Sequence, residues 1–234
     1  MAFALPPEIY GIIALSLKVS LVAVAGMMPV AFCLAWVLVR WRFPLKFLLD
    51  ALVHLPLVVP PVVTGWLLLI LMGTNGPVGR FLSERFDIIL LFRWTGAALA
   101  AAIMALPLMV RAMRLSIEAV DRRLEQAAMT LGAGHARIFL TISLPLCAPG
   151  IAAAAVLGFA RSIGEFGATI TFVSDIPGET RTLPIAIYSA MQMPGGESMA
   201  ASLAIVSILI SLLALLASEM LVRRAHGGRG SHVI

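Results

Sequence analysis

The stretch Gly11-Ile-Ile-Ala-Leu-Ser-Leu-Lys18-Val-Ser-Leu-Val-Ala-Val-Ala-Gly-Met-Met-Pro-Val-Ala-Phe-Cys33-Leu-Ala-Trp-Val-Leu-Val39 holds a single charge, Lys18, and is apolar on every side. A run this long crosses a bilayer as a helix, because hydrocarbon offers the backbone no partner outside its own turns. Four further stretches repeat the pattern: His54 to Met72, Trp94 to Val110, Leu146 to about Ser162, and Met199 to Val222. None alternates polar and apolar residues as a barrel strand would. The chain therefore reads as an all-α polytopic membrane protein of about five transmembrane helices. Gly167 to Val173 is also apolar, but at about seven residues it is too short to cross alone.

Composition points the same way. Of 234 residues, 61% are hydrophobic and only 12% charged, about half the charged share of a soluble domain; mean hydropathy is +1.02. A conventional soluble protein is excluded, and a large water-facing domain has no room. Residues 1–222 read as one transmembrane domain and 223–234, rich in Gly and Arg, as a disordered tail. Met1 to Tyr10 places no Lys or Arg ahead of the apolar run, so a cleaved secretory signal is not expected.

Most of the 17 basic residues lie at one set of span ends: Arg40, Arg42 and Lys46, then Arg111, Arg114, Arg122, Arg123 and Arg137, then Arg223, Arg224 and Arg229. Arg80, Arg85, Arg93 and Arg181 lie at the other. By the positive-inside rule the N-terminus is outside and the tail cytoplasmic. The net charge of +5 thus belongs to topology and anionic lipid rather than to nucleic acid, since the basic residues flank spans instead of sharing a soluble face with aromatics.

The longest cytoplasmic connection, Arg111 to Pro145, is not built as a passive linker. Asp121 is a plausible N-cap, and Leu124, Ala127, Ala128 and Leu131 follow at i, i+3, i+4 and i+7, which predicts a short amphipathic helix that Gly132 and Gly134 end. Alanine in the middle of the stripe allows close approach to another surface. Two readings stay open: a helix lying on lipid headgroups with Arg122 and Arg123 in the interface, or one that docks into a groove on a cytoplasmic partner.

Gln126-Ala127-Ala128-Met-Thr-Leu-Gly132, nine residues, then Ile142-Ser-Leu144-Pro145 resembles the EAA loop of ABC-importer permease subunits (about 121–145 here). One departure is that the motif's glutamate is Gln126, with Glu125 immediately before it. The resemblance implies a type I importer permease whose loop, carried here by Glu125, Gln126, Ala127, Ala128, Gly132, Ile142, Leu144 and Pro145, docks onto a cytoplasmic ATPase subunit. ATP and Mg would be bound by that partner, because the chain has no GxxxxGK[ST] phosphate loop and no other nucleotide-binding fingerprint. No catalytic residue and no cofactor is expected in the chain itself.

Pro60 and Pro61, with Pro56, Thr64 and Gly65, break or kink the second span at membrane depth. Freed backbone there is tolerated only against protein or a water-filled path, so Pro60, Pro61, Thr64 and Gly65 are candidate pathway residues, with a kink that serves packing alone as the other reading. Arg161 and Glu165, near the outer end of span four, are candidates for the same path, yet their i, i+4 spacing also fits a mutual pair. Lys18 either faces the path or snorkels outward.

Ala160-Arg-Ser-Ile-Gly-Glu-Phe-Gly-Ala168 resembles the sulfate and molybdate branch of these permeases, and Thr171 to Pro184 with Pro194-Gly-Gly-Glu197 the molybdate importers in particular. Leu15-Ser-Leu-Lys-Val-Ser20 and His54-Leu-Pro-Leu-Val-Val-Pro-Pro61 extend the likeness over nearly the whole chain. It implies an inner-membrane homodimer enclosing one path, two ATPase subunits below, and a periplasmic binding protein above that delivers molybdate, with sulfate or tungstate as alternatives. Gly73 to Arg93 and Asp175 to Ser198 would meet that protein.

Other classes fit less well. A stand-alone channel or carrier predicts mid-span acids and an internal repeat, whereas Glu165 and Glu219 lie near span ends. A membrane enzyme predicts converging ligands or a nucleophile, whereas His54, His135, His226 and His232 lack metal-ligand spacing, and Cys33 and Cys147 sit in apolar runs as small buried residues.

Overall fold

The structure, a computed structural model, describes residues 7–227. Its elements run α1 (Pro7–Arg40), α2 (Lys46–Val58), α3 (Pro61–Met72), α4 (Pro77–Phe86), α5 (Trp94–Glu118), α6 (Arg122–Thr130), α7 (His135–Ile138), a π turn (Phe139–Ser143), α8 (Leu144–Ile163), α9 (Gly167–Val173), α10 (Leu183–Met191) and α11 (Glu197–Gly227). Helix makes up most of the described residues and no strand occurs among them. Four helical rods are long and apolar enough to cross a membrane: Glu8–Arg40, Trp94–Glu118, His135–Ile163 and Glu197–Ala214. The pair α2 and α3, bent by 115°, makes a fifth crossing if taken together.

The second span is thus two helices rather than one. Proline has no N–H for the helix ladder and its ring collides with the carbonyl four residues back, so Pro60-Pro61 ends α2 at Val58 and restarts the chain with Pro61 in the first turn of α3. The third and fourth spans run beyond their expected limits. Arg111 to Glu118 continue α5, because Met113 and Ile117 carry its buried stripe two turns further. Residues 119–134 separate α5 from the His135–Ile163 rod, a shorter connection than the expected Arg111 to Pro145. Likewise α11 stays helical past Val222 as far as Gly227, and residues 228–234 of the expected tail lie outside the described ones.

Three layers of core hold the bundle. At the end bearing α6, Ala31, Ala35 and Leu38 of α1 meet Met109, Met113 and Ile117 of α5, with Cys147 and Ala154 of α8. Midway, Val19 and Ala23 of α1 meet the alanine face of α5 and Phe172 of α9. At the opposite end Ile9 and Ile12 pack on Leu183, Ala186 and Leu203. Small residues set the spacing: a β-carbon on Gly150 of α8 would stand 2.1 Å from Ser116 Cβ of α5, so α5 and α8 approach at a distance that glycine permits. Large apolar side chains are left exposed on α1 and α11, among them Leu21, Ile205, Ile208 and Leu213, and also on α2 and α3, where Phe47, Val58 and Trp66 stand out. Cys33 is exposed, unlike Cys147.

Candidate functional site

The α6 segment forms as its residues dictate. Asp121 Oδ1 accepts the Arg123 N–H at 2.9 Å, capping the first turn. At the other end Gly132 has φ +81. The Gly132 N–H donates to the Met129 carbonyl and the Ala133 N–H to the Ala128 carbonyl, each at 3.0 Å, which closes a Schellman motif. Nothing lies within 4 Å of a β-carbon built on Gly132, so its backbone angle, and not lack of room, calls for glycine. Gly134, also expected to end the helix, has φ −71 and an open site.

α6 buries none of its residues. Leu124 is 50% and Leu131 87% exposed, with Ala127 and Gln126 also exposed and Ala128 half-buried. The stripe expected from the sequence therefore faces away from the bundle. Glu125 instead turns inward. Its carboxylate accepts Arg40 Nη2 at 2.6 Å and Nη1 at 3.0 Å, and the Ser143 hydroxyl at 2.6 Å. Gln126, which stands in the motif's acidic position, makes no such bond; the acid one residue earlier does.

The partners of Glu125 are themselves fixed. The Arg40 guanidinium lies over the Trp36 ring, 5.0 Å from its centre. Trp36 meets Phe139 edge-to-face at 5.1 Å, and Phe32 packs beside both. Phe139, Ile142 and Ser143 belong to the π turn, while Leu144 and Pro145 open α8. Proline at 145 cannot donate to the carbonyl of Thr141, and widening the turn just before it relieves the collision, so the second half of the motif encodes the π turn. A second cross-link lies nearby: Arg114 of α5 donates to Asp50 of α2 at 2.5 Å, with Glu118 and His54 alongside.

Deeper in the bundle, the two breaks in helical structure meet. A β-carbon on Gly65 of α3 would lie 2.5 Å from the Ala168 carbonyl of α9, and one on Gly167 would lie 2.8 Å from Pro61 Cβ. The structure thereby brings the Pro60-Pro61 break beside the break between α8 and α9. Thr64 and Gly65 are buried in this crossing, while Pro60 and Pro61 are exposed at its edge. Arg161 and Glu165 pair with each other, Nη1 to Oε2 at 2.5 Å, and Glu165 Oε1 accepts the Ala168 N–H at 2.9 Å. The buried carboxylate thus both neutralises Arg161 and caps α9. Lys18 places its ammonium 3.6 Å from the centre of the Trp94 ring.

At the opposite end, Asp175 accepts Arg181 through both oxygens and the Ser189 hydroxyl through one. Thr180 Oγ1 donates to the Ser174 carbonyl and accepts the Ile176 N–H, which closes the 174–180 turn. Gly178 and Gly195, with φ +78 and +76, occupy the turns that follow Pro177 and Pro194. Sequence reasoning missed α4 and α10 inside the 73–93 and 175–198 segments, gave Arg40 a role in topology alone, and assigned Ser143 and Asp50 none. The span start at Trp94 was readable; the Arg40–Glu125 pairing across 85 positions was not.

Broken helices meeting inside a bundle, with an outward-facing helix tied to it at one end, define a membrane-spanning transport subunit. Residues 27–227 match the family described as binding-protein-dependent transport system inner membrane component, and the chain belongs to that family. It is 59% identical over 217 residues to the molybdenum transport system permease protein of Escherichia coli, covering 92% of this chain and 95% of that one. Its counterpart in Haemophilus influenzae is 53% identical, over 90% and 92% of the two chains. The sulfate transport system permease protein of Salmonella typhimurium is 37% identical, over 76% of this chain and 65% of that one. In fold, the chain is similar to a bacterial alginate importer, with TM-score 0.74 at 17% identity, covering 94% and 80% of the two chains.

Proposed function

We propose that this chain is the membrane-spanning subunit of an ATP-driven importer of molybdate. The observation that carries the transport reading is α6: an exposed apolar stripe of Leu124, Ala127 and Leu131 with a rigid anchor behind it at Glu125. Lipid headgroups alone would not require that anchor. The anion rests on the molybdenum relatives of Escherichia coli and Haemophilus influenzae, which the chain matches at higher identity and over more of their length than the sulfate relative.

Two copies of the chain enclose one path, with N-termini outside and tails in the cytoplasm. Two ATPase subunits bind ATP and Mg and receive the α6 helices. A periplasmic binding protein delivers the anion to the 73–93 and 175–198 segments. ATP binding draws the ATPase subunits together, the α6 helices follow, and the path opens outward; hydrolysis and release return it inward. The α3–α9 crossing, where Pro60, Pro61, Thr64 and Gly65 meet the second break, lines the moving part of the path. Arg161 and Glu165 serve as its frame, since each already satisfies the other.

Specificity falls to the binding protein. Molybdate and sulfate are both tetrahedral dianions, and separating them needs converging donors, which are scarce among the described residues of the spans. The docking reading is tested by Leu131→Glu, which alters an exposed side chain and leaves the core alone. Loss of co-purification with the cognate ATPase at normal protein yield is expected. Retention of the ATPase and of uptake would overturn docking through this face and leave α6 on the lipid surface.

A further inference from the structure

All the side-chain hydrogen bonds that tie α6 to the membrane-spanning helices, among the described residues, converge on one carboxylate, Glu125. Elsewhere α6 is joined to the bundle by short backbone segments, and it buries no residue of its own. The Glu125 tie reaches in two directions. Through Arg40 it grips the last turn of α1, and through Ser143 it grips the π turn that leads into α8. The Arg40 and Glu125 side chains are only 11% and 16% exposed, so this is not a solvent-screened surface pair.

We infer that Glu125, Arg40 and Ser143 form the joint through which movement of α6 is transmitted into the membrane, and that Glu125 and Arg40 are positioning residues for transport. The inference rests on the proposed docking of α6 and adds the route beyond it. A helix held by backbone alone could swing without moving the bundle. With a bidentate pair to α1 and a third bond at the head of α8, displacement of α6 pulls on both rods together. Those rods differ in what they reach. α8 leads to Glu165, which caps α9 at the crossing with α3. α1 leads to Ser16, whose hydroxyl accepts the Leu183 N–H at the start of α10. A single carboxylate thus connects α6 to both the α3–α9 crossing and the opposite-end segment. The π turn suits a joint, since its extra residue leaves the ladder locally wider than in the flanking helices, and Phe139 within it is held edge-on to Trp36 under the Arg40 guanidinium.

The test uses the whole complex in liposomes: this chain, its cognate ATPase and the binding protein. Glu125→Gln, Arg40→Met and the milder Ser143→Ala are compared with the exchanged pair Arg40→Glu with Glu125→Arg. The readouts are the ATPase retained on purification, ATP hydrolysed, and molybdate imported per ATP. Retained ATPase with molybdate per ATP about tenfold lower in the two charge variants, a smaller fall in Ser143→Ala, and partial recovery in the exchanged pair are expected. An unchanged ratio in the variants that assemble, whether or not protein yield falls, would reduce the cluster to a structural contact and overturn the inference. Failure of the unsubstituted chain to retain the ATPase would overturn the docking reading, and this inference with it.

Discussion

Gly65 of α3 lies directly against Ala168 of α9: a β-carbon on Gly65 would stand 2.5 Å from the Ala168 carbonyl oxygen and 2.8 Å from Thr171 Cβ. Neither neighbour can yield cheaply, one being backbone and the other held by its own hydroxyl bond to the Gly167 carbonyl. Gly65→Ala should therefore part the two helices and cost about 1–3 kcal/mol. Thermal unfolding of the purified complex checks the cost, and uptake should fall with it. Full stability and uptake would show that the crossing is looser than the geometry requires.

Two glycines of the loop should behave differently, although both have open space around them. Gly132 sits at positive φ, where an L side chain costs about 1–2 kcal/mol, and Gly134 does not. Gly132→Ala and Gly132→Leu should weaken ATPase retention to a similar degree, Gly132→Asn less, and Gly134→Ala hardly at all. A graded loss with side-chain size at Gly132 would point instead to a steric contact with the ATPase.

Glu165 has two duties that substitution can separate. Glu165→Gln keeps an oxygen for the Ala168 N–H but strands Arg161, while Glu165→Ala removes both bonds. Losing one partner of a buried pair costs about 3–5 kcal/mol, and the alanine variant should be the less stable of the two in thermal unfolding. Arg161→Met should lower protein yield while leaving the KM for uptake unchanged. A raised KM at normal yield would place Arg161 on the anion's path.

Much of this architecture was readable in the chain. Apolar runs such as Gly11 to Val39 are decided by the solvent, and the Asp121 cap and Gly132 stop obey local rules, so each could be stated before any coordinates. The break at Pro60-Pro61 was equally plain, because proline's missing N–H acts within its own turn. What escaped were relations between distant positions. Arg40 read as a topology signal, and nothing local marks Glu125, 85 positions away, as its partner. The loop helices α4 and α10 were hidden for another reason: both are short and sit among Gly and Pro residues that announce turns.

Lys18 should prove a modest stabiliser. Its ammonium over the Trp94 ring is worth about 0.5–1 kcal/mol at an exposed site. Lys18→Met should lower the unfolding temperature slightly and leave uptake kinetics as they are. A change in KM would bring Lys18 into the transport path.

The most direct test of the proposed function is ATPase activity of the liposome-reconstituted complex, measured with empty, molybdate-loaded and sulfate-loaded binding protein. Molybdate-loaded protein should stimulate hydrolysis well above the empty form, and sulfate should not. Equal stimulation by sulfate would contradict the assigned anion, and no stimulation by either, with the ATPase properly assembled, would contradict the importer mechanism itself.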